Sequence, residues 1–409
     1  MPFQDPSDWL RLSLTEGLGP SGLLRLLRAF GGPADILATP TPKLAAVAGA
    51  TIADRIHAAD PEREARIAAS LAWLAGAPDR HLLTLDDAAY PPAWLNLACP
   101  PPCVMVRGRL EALAAPAIAI VGSRHASANG ARAAHDFAAS LASEGWCIAS
   151  GLALGIDAAA HGGALDAGGL TVAFVGTGLD REYPARNRAL ARRIAATGAI
   201  VSEFALGMEP LRGNFPRRNR LIAAHTRGVL VVEAARRSGS LITAMAAAGL
   251  GREVFAIPGS IHSPLARGCH WLIRQGAKLV EEVADLRDEF PVALRPSARH
   301  GADARAATAA APEGLAAVRC APGDDALGPG AMATLAGLGW HPASPDELAR
   351  RLGFGVPILL AALLELELAG QVERLADGRY QRRGGSEAGV GADLPGQPVR
   401  VARPVDRPV

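Results

Sequence analysis

The segment from Ile118 to Val280 repeatedly runs an apolar stretch into a turn that carries glycine. Short apolar stretches separated by helical lengths are typical of parallel strands joined by helices. The carboxyl ends of such strands meet at one edge of the sheet, where open α/β folds place their ligands. The pattern therefore predicts an α/β domain with a parallel sheet and a phosphate-binding edge.

Arginine is concentrated in the same segment. Between Arg181 and Arg237 there are 12 arginines and 4 glutamates, with no lysine or aspartate, which gives a local formal charge of +8. A planar guanidinium can bind two phosphate oxygens at once, so the cluster favours a polyanionic ligand. A solvated basic surface is the alternative. Only 4% of the residues are aromatic, so base stacking is not expected to dominate recognition.

Other features narrow the class of protein. Five cysteines, an odd number, argue against a disulfide framework. Cys99 and Cys103 could form half of a metal site, but no second pair stands at zinc-ligand spacing, so we expect no metal. No apolar window has the length of a membrane helix and no basic leader precedes one, so we expect a cytoplasmic protein without a membrane partner.

Periodicity and composition divide the chain into five parts. Residues 1–75 show helical periodicity, with a turn at Gly17-Leu18-Gly19-Pro20 that fits either a plain interhelical turn or a SAM-like or helix-hairpin-helix-like domain. The predicted boundaries are an N-terminal helical domain at 1–75, the α/β domain at 76–290, a flexible linker at 291–330, a winged-helix domain at 331–385 and a disordered tail at 386–409.

Two glycine turns follow predicted strands in the first half of the α/β domain. One is Gly122-Ser123-Arg124, where a helix N-terminus would offer free amides and Arg124 a fixed charge to an anion. The other is Ser150-Gly151, ahead of Asp157 and His161. These last two residues lie four apart on a helix and could form an acid/base pair, although helix capping by Asp157 is the simpler interpretation.

Two further turns follow later strands. The segment Phe215-Pro216-Arg217-Arg218-Asn219-Arg220 opens a helix, where Phe215 either stacks on a base or packs against the helix start. Ser238-Gly239-Ser240 offers hydroxyls and a glycine as a second anion cradle.

Catalytic and cofactor motifs are not evident. The Gly176-Thr177-Gly178 turn lacks the third glycine of a dinucleotide fingerprint, and no Gly-Lys-Ser/Thr phosphate loop is present. No nucleophile elbow or metal cluster can be placed. We therefore expect no cofactor and no catalytic residues.

Taken in order, these motifs resemble the DNA-processing protein A family (DprA, also called Smf). The resemblance covers roughly residues 80 to 285 and rests on six motifs: Val121-Gly122-Ser123-Arg124; Ser150-Gly151-x-Ala153-x-Gly155-Ile156-Asp157; Gly176-x-Gly178-Leu179-Asp180 with Tyr183-Pro184 and Asn187; Phe215-Pro216-x-Arg218-Asn219-Arg220; Ser238-Gly239-Ser240-Leu241-x-Thr243-Ala244; and Pro258-Gly259. The flanking helical and winged-helix segments also resemble the longer members.

The resemblance implies an extended Rossmann-like domain that binds single-stranded DNA. It further implies a non-enzymatic, usually dimeric mediator that protects incoming DNA and loads the RecA recombinase during natural transformation. By the same resemblance Arg124, Arg218, Asn219 and Arg220 are the leading DNA contacts. The full set of predicted DNA-binding residues is Gly122, Ser123, Arg124, Ser150, Gly151, Phe215, Arg217, Arg218, Asn219, Arg220, Ser238, Gly239 and Ser240.

Two positions depart from the family pattern, Leu154 where a basic residue is frequent and His270 where asparagine is usual. Two other functions stay open. One is a nucleotide phosphoribohydrolase on a related sheet, with Glu233 as the catalytic acid. The other is a duplex-binding regulator that acts through the winged helix, although Glu365 and Glu367 on its third helix would repel phosphates.

Overall fold

The protein is described here by a computed structural model. The structure describes residues 5–290, 329–339, 342–375 and 378–383. These residues form two compact units, divided between positions 311 and 312. The predicted tail at 386–409 and nearly all of the predicted linker at 291–330 lie outside the described residues, and the last two linker positions begin a helix.

The first unit opens with short helices whose starts are marked by proline, which supplies a helical φ where no amide donor is needed. Gly17, with φ of +81°, makes the turn before the second helix. Leucine and isoleucine side chains form the core of this segment. The helices are α1 (Pro6–Ser13), α2 (Pro20–Phe30), α3 (Pro33–Ala38), α4 (Thr41–Ala48), α5 (Ala50–His57) and α6 (Pro61–Ala75).

A sheet of nine strands follows within the described residues, in the order β1-β2-β6-β5-β4-β3-β7-β8-β9. The strands from β6 to β9 in this order are parallel, whereas β2 runs antiparallel to β6 and β1 antiparallel to β2. Their bounds are β1 (Arg80–Thr84), β2 (Cys103–Gly108), β3 (Ala117–Val121), β4 (Cys147–Ser150), β5 (Thr171–Phe174), β6 (Ala199–Ser202), β7 (Gly228–Val231), β8 (Glu253–Ala256) and β9 (Lys278–Leu279).

Helices cover both faces of this sheet, which is why every residue of its central strands β3, β4, β5, β6 and β7 is buried. Along β3, Ile118 and Ile120 join one core with the first two helices after β3, while Ala117, Ala119 and Val121 join a second core on the opposite face. The helices are α7 (Glu111–Ala114), α8 (Ala128–Ser143), α9 (Ile156–Asp166), α10 (Arg188–Thr197), α11 (Asn214–His225), α12 (Ser240–Gly249), α13 (Arg267–Arg274) and α14 (Val283–Arg287), with 3-10 turns at Pro92–Asn96 and Ala185–Asn187.

The described residues of the second unit form three helices followed by a β-hairpin. Ser344 caps the second helix, and Gly353 ends it in the left-handed conformation with φ of 69°. The elements are α15 (Pro329–Leu338), α16 (Pro345–Leu352), α17 (Val356–Leu368), β10 (Val372–Arg374) and β11 (Tyr380–Arg382). This order and the large mixed sheet confirm the predicted fold class. Across the described residues, every helix is too short or too polar to cross a membrane.

Candidate nucleic-acid interface

The turn after β4 is held from two sides. The carboxylate of Asp157 accepts hydrogen bonds from the amides of Gly151 (3.1 Å) and Ala153 (3.4 Å). The side-chain amide of Asn187 donates to the carbonyls of Leu152 (2.9 Å) and Ala153 (3.1 Å). Between these anchors Leu152 has a φ of 58°, a conformation that a non-glycine residue adopts only when its surroundings enforce it. These hydrogen bonds therefore hold the turn in one conformation.

Arg218 of α11 lies directly against this turn. Its Nη1 donates to the carbonyl of Phe174 at the end of β5, and its side chain is only 5% exposed. A Cβ at position 151 would overlap its guanidinium, so the glycine is required for the close approach. The Nε of Arg218 has no hydrogen-bond partner among the described residues.

A pocket opens beside Arg218 at the carboxyl ends of β4 and β5. Arg124 and Phe215 form one side of it, and the guanidinium of Arg124 lies 5.2 Å from the centre of the Phe215 ring. The ring of Tyr183 lies 6.1 Å from that of Phe215. The lining residues include no acid; they are Arg124, Gly151, Ala153, Leu154, Val175, Gly176, Tyr183, Pro184, Phe215 and Arg218.

The charges around this pocket are unbalanced toward the positive side. Burial lowers the pKa of Arg218 to about 10, which leaves it protonated at neutral pH, and the nearby charge of Arg124 also lowers it. Burial raises the pKa of Asp157, while the positive charge of Arg218 acts in the opposite direction. Arg218 faces the buried carboxyl of Asp157, and Arg124 adds a second positive charge near Arg218, so an anion in the pocket would be stabilised.

His161 does not pair with Asp157, as the four-residue spacing had suggested it might. Its Nδ1 lies 2.6 Å from the hydroxyl of Thr171, and the ring is fully buried. Asp157 binds the preceding turn and does not cap α9. The two residues therefore form no acid/base pair in this structure.

The turn after β3 differs from the sequence expectation. Glu233, which follows β7, accepts hydrogen bonds from the amide (2.9 Å) and the hydroxyl (2.6 Å) of Ser127 at the start of α8. Ser123 donates its amide to the carbonyl of Glu233, and Gly122 is packed against Ile156. A carboxylate of the protein itself thus occupies the place where free amides for an external anion were predicted.

The arginines of the α11 cluster are not all brought together. Arg218 joins Arg124, but Arg220 forms an ion pair with Glu203, whose side chain is 2% exposed, and also donates to the carbonyl of Cys99 at 2.7 Å. Arg220 was predicted with Arg124 and Arg218 as a leading DNA contact, but the structure does not bring it to the pocket that the other two line. Arg217 is half exposed and lies 5.2 Å from the centre of the Phe204 ring.

Ser150 also occupies a different environment from the one predicted. It is fully buried, and its hydroxyl donates to the carbonyl of Ile120 (2.6 Å), so it connects β4 to β3 below the pocket. A ligand at the sheet edge cannot reach this hydroxyl. Its neighbour Gly151, in contrast, lines the pocket.

Ser238, Gly239 and Ser240 form a separate group after β7. The hydroxyls of Ser238 and Ser240 lie 2.7 Å apart, and the carbonyl of Gly239 accepts from the side-chain amide of Asn219 (3.3 Å). Asn219 is 8% exposed, so it ties α11 to the start of α12. Gly239 is exposed.

Both departures from the family pattern can be placed. Leu154 lines the pocket, where a basic side chain would have added charge. His270 lies against the turn after β8, with its Nε2 2.9 Å from the carbonyl of Gly259. Asn187 and Tyr183 belong to a sequence motif, but their roles could not be predicted from it because they depend on contacts across the sheet edge.

The fold and the pocket together define a class: a mixed α/β protein with a Rossmann-like sheet, a pocket lined by two arginines at the sheet edge, and a winged helix. The family model for DNA recombination-mediator protein A matches residues 81–291, and the model for the DprA winged helix domain matches residues 321–378. The first match covers more than half of the chain. The chain belongs to the DprA/Smf family of DNA-processing recombination mediators.

Individual relatives agree with this assignment. The chain is 41% identical over 324 residues to Protein Smf of Escherichia coli K12, covering 78% of this chain and 81% of that protein. It is 47% identical over 206 residues to the DNA processing protein DprA of Streptococcus pneumoniae R6, covering 50% of this chain and 72% of that protein. The X-ray structure of DprA from S. pneumoniae superposes with a TM-score of 0.63 at 36% identity, covering 70% of this chain and 98% of that one.

Proposed function

We propose that this protein binds single-stranded DNA, protects it and loads the RecA recombinase onto it during natural transformation. The observation that carries the proposal is the pocket in which Arg124 stacks on Phe215 beside the buried Arg218, with no acid in its lining. Guanidinium groups next to an aromatic ring suit a phosphate and an unstacked base, and such a base is available only in an unpaired strand.

RecA loading, dimer formation and a cytoplasmic location are parts of the same proposal. They rest on the membership of the chain in a family of recombination mediators. We further propose that the protein performs no catalytic step. Glu233, the candidate acid of the phosphoribohydrolase alternative, is engaged by Ser127 and does not line the pocket.

The winged helix supports a contact with protein rather than with duplex DNA. Its third helix, α17, exposes Ile358, Leu360 and Leu364 and carries Glu365 and Glu367, with no arginine or lysine in its sequence. A helix that inserts into a DNA groove needs positive charge against the phosphates. We therefore place DNA binding in the first unit.

Fluorescence anisotropy with a labelled single-stranded oligonucleotide at increasing salt tests the proposal. We expect affinity to fall steeply with salt, because neutralised phosphates release counterions. Arg124→Gln should weaken binding by about tenfold, equivalent to roughly 1.4 kcal/mol for one charged phosphate contact. The exposed Arg28, on α2, provides the matched control as Arg28→Gln. Absence of binding, or affinity that does not change with salt, contradicts the proposal.

A further inference from the structure

A second concave surface lies beside the pocket, between the N-terminal helices and the sheet. One wall is the turn at Gly17–Pro20 together with Arg66 of α6. The other wall is formed by Pro101–Cys103 at the start of β2 and by Phe204 and Arg217. We call this surface the N-terminal groove. Its Gly17-Leu18-Gly19-Pro20 turn fits a helix-hairpin-helix-like pattern and does not line the pocket.

The N-terminal groove and the pocket lie along the same edge of the sheet. Because β2 is antiparallel to β6, its first residue, Cys103, lies at the edge where β6 ends in Ser202. The pocket occupies the ends of β5 and β4, which are the next strands in the sheet. Neighbouring strands are about 5 Å apart, so the two sites are separated by one or two strand spacings.

The first turns of α11 connect the two sites. Phe215 lines the pocket, and Arg217, two residues further along, lines the N-terminal groove. Side chains two positions apart leave a helix about 200° apart, so Phe215 and Arg217 face the two sites from opposite sides of the start of α11. A strand that crosses the start of this helix would contact both residues.

The charges of the N-terminal groove favour a polyanion. Arg66 is exposed and makes no ion pair within the described part of the chain. Arg217 is 51% exposed at its side chain, and its nearest carboxylate oxygen, on Glu203, is 3.9 Å away and is shared with Arg220. Glu203 is the acid in the lining, and Arg220 neutralises it. Two guanidinium groups are thus left to attract phosphates.

We propose that an unpaired DNA strand bound in the pocket continues into the N-terminal groove, where Arg66 and Arg217 bind its phosphates. This inference rests on the proposed function and extends its site by the N-terminal helices. The groove would make affinity depend on strand length. A strand long enough to fill both sites gains contacts that a strand confined to the pocket does not.

A length series of oligothymidylates, from about 4 to about 16 nucleotides, tests the inference with the full chain. For the wild type we expect affinity to rise with length beyond the shortest strand that binds. Arg66→Gln should leave the shortest strand unaffected and reduce the affinity of long strands several-fold. Its slope of log affinity against log salt for long strands should fall by about 0.7, and that of the Arg66→Gln/Arg217→Gln double variant by about 1.4.

The controls separate this inference from the proposed function. Arg287→Gln removes an exposed arginine from α14, outside both sites, and should change nothing at any length. Both groove arginines are exposed, so thermal unfolding of the variants should match the wild type. Equal losses of affinity for short and long strands, or no loss of affinity at any length, would overturn the proposal that the N-terminal groove binds the strand. Absence of wild-type binding at every length would instead refute the proposed function.

Discussion

Arg218 and Arg220 lie on one helix, two positions apart, in opposite environments. Successive helical residues turn by about 100°, so these two side chains leave α11 in directions about 200° apart. Arg218 lies against Gly151 at the pocket, whereas Arg220 neutralises the buried Glu203. The Arg-Asn-Arg sequence predicts a cationic helix start correctly. It does not reveal which cation meets a carboxylate, because Glu203 follows β6 and reaches α11 only through the tertiary fold, across 17 positions of sequence.

This difference predicts opposite consequences for two substitutions. Arg220→Gln removes the hydrogen-bonded partner of the buried Glu203 and leaves it only the half-exposed Arg217 at 3.9 Å, so the free energy of unfolding should fall by roughly 3 kcal/mol. Arg124→Gln removes an exposed cation and should leave the free energy of unfolding within about 0.5 kcal/mol of the wild type. Urea denaturation of both variants, followed by circular dichroism, measures these values. A stable Arg220→Gln protein that fails to bind DNA would show that Arg220 is a DNA contact after all.

The turn between β4 and α9 shows what a single element contributes to the site. Its amides are held by Asp157 and its carbonyls by Asn187, so it presents Gly151 to Arg218 in one conformation. The strand, the glycine turn and the helix were all predictable from local sequence. The occupation of the neighbouring α8 terminus by Glu233 was not, because Ser127 and Glu233 are 106 residues apart.

Gly151→Ala tests this element. The added methyl group would overlap the guanidinium of Arg218, which is buried and bonded to Phe174, so either the turn or the arginine must move. We expect the affinity for single-stranded DNA to fall at least about tenfold, a loss of roughly 1.4 kcal/mol, in anisotropy titrations. Gly249→Ala is the matched control, since a Cβ at position 249 meets no atom within 4 Å. Wild-type affinity in Gly151→Ala would mean that Arg218 is not needed where it lies.

Two histidines buried in the first unit link the stability of the whole molecule to pH. Burial lowers the pKa of His225 to about 4 and that of His161 to about 3, with the charge of Arg218 adding to the effect at His161. Both ring nitrogens of His225 lack partners among the described residues, and its ring packs against Trp94 and Phe174. The unfolded chain, with an ordinary pKa near 6.5, therefore binds protons more readily than the folded one.

The sign of the pH effect follows from this comparison. Stability from the neutral His225 is fully present above pH of about 6.5 and is lost as the pH falls toward about 4. At pH 5 the loss at this one residue is on the order of 2 kcal/mol. His225→Phe should remove this part of the loss between pH 7.5 and pH 5 in urea denaturation, and His262→Gln, at an exposed position, should not. An unchanged pH dependence in His225→Phe would show that protonation of His225 costs little.

At the scale of the whole chain, apolar periodicity and turn residues were sufficient to predict the α/β sheet, the helical start and the winged helix. Their order along the chain could be read because each element carries its own local signal, such as Ser344 at the start of α16. The spatial order of the strands could not be read in this way. It places β2 beside β6 and so creates the N-terminal groove from Pro101–Cys103 and Phe204, which no local pattern connects.

The carboxylate of Glu233 at the start of α8 affects whether small nucleotides can compete with DNA for the edge of the sheet. Sheets of this type commonly receive the phosphate of a mononucleotide at the first helix after a central strand. In this protein the carboxylate of Glu233 occupies that position and accepts hydrogen bonds from the amide and the hydroxyl of Ser127. The phosphates of an abundant metabolite such as ATP could not bind at this helix start. A DNA strand would therefore not have to displace such a metabolite from it.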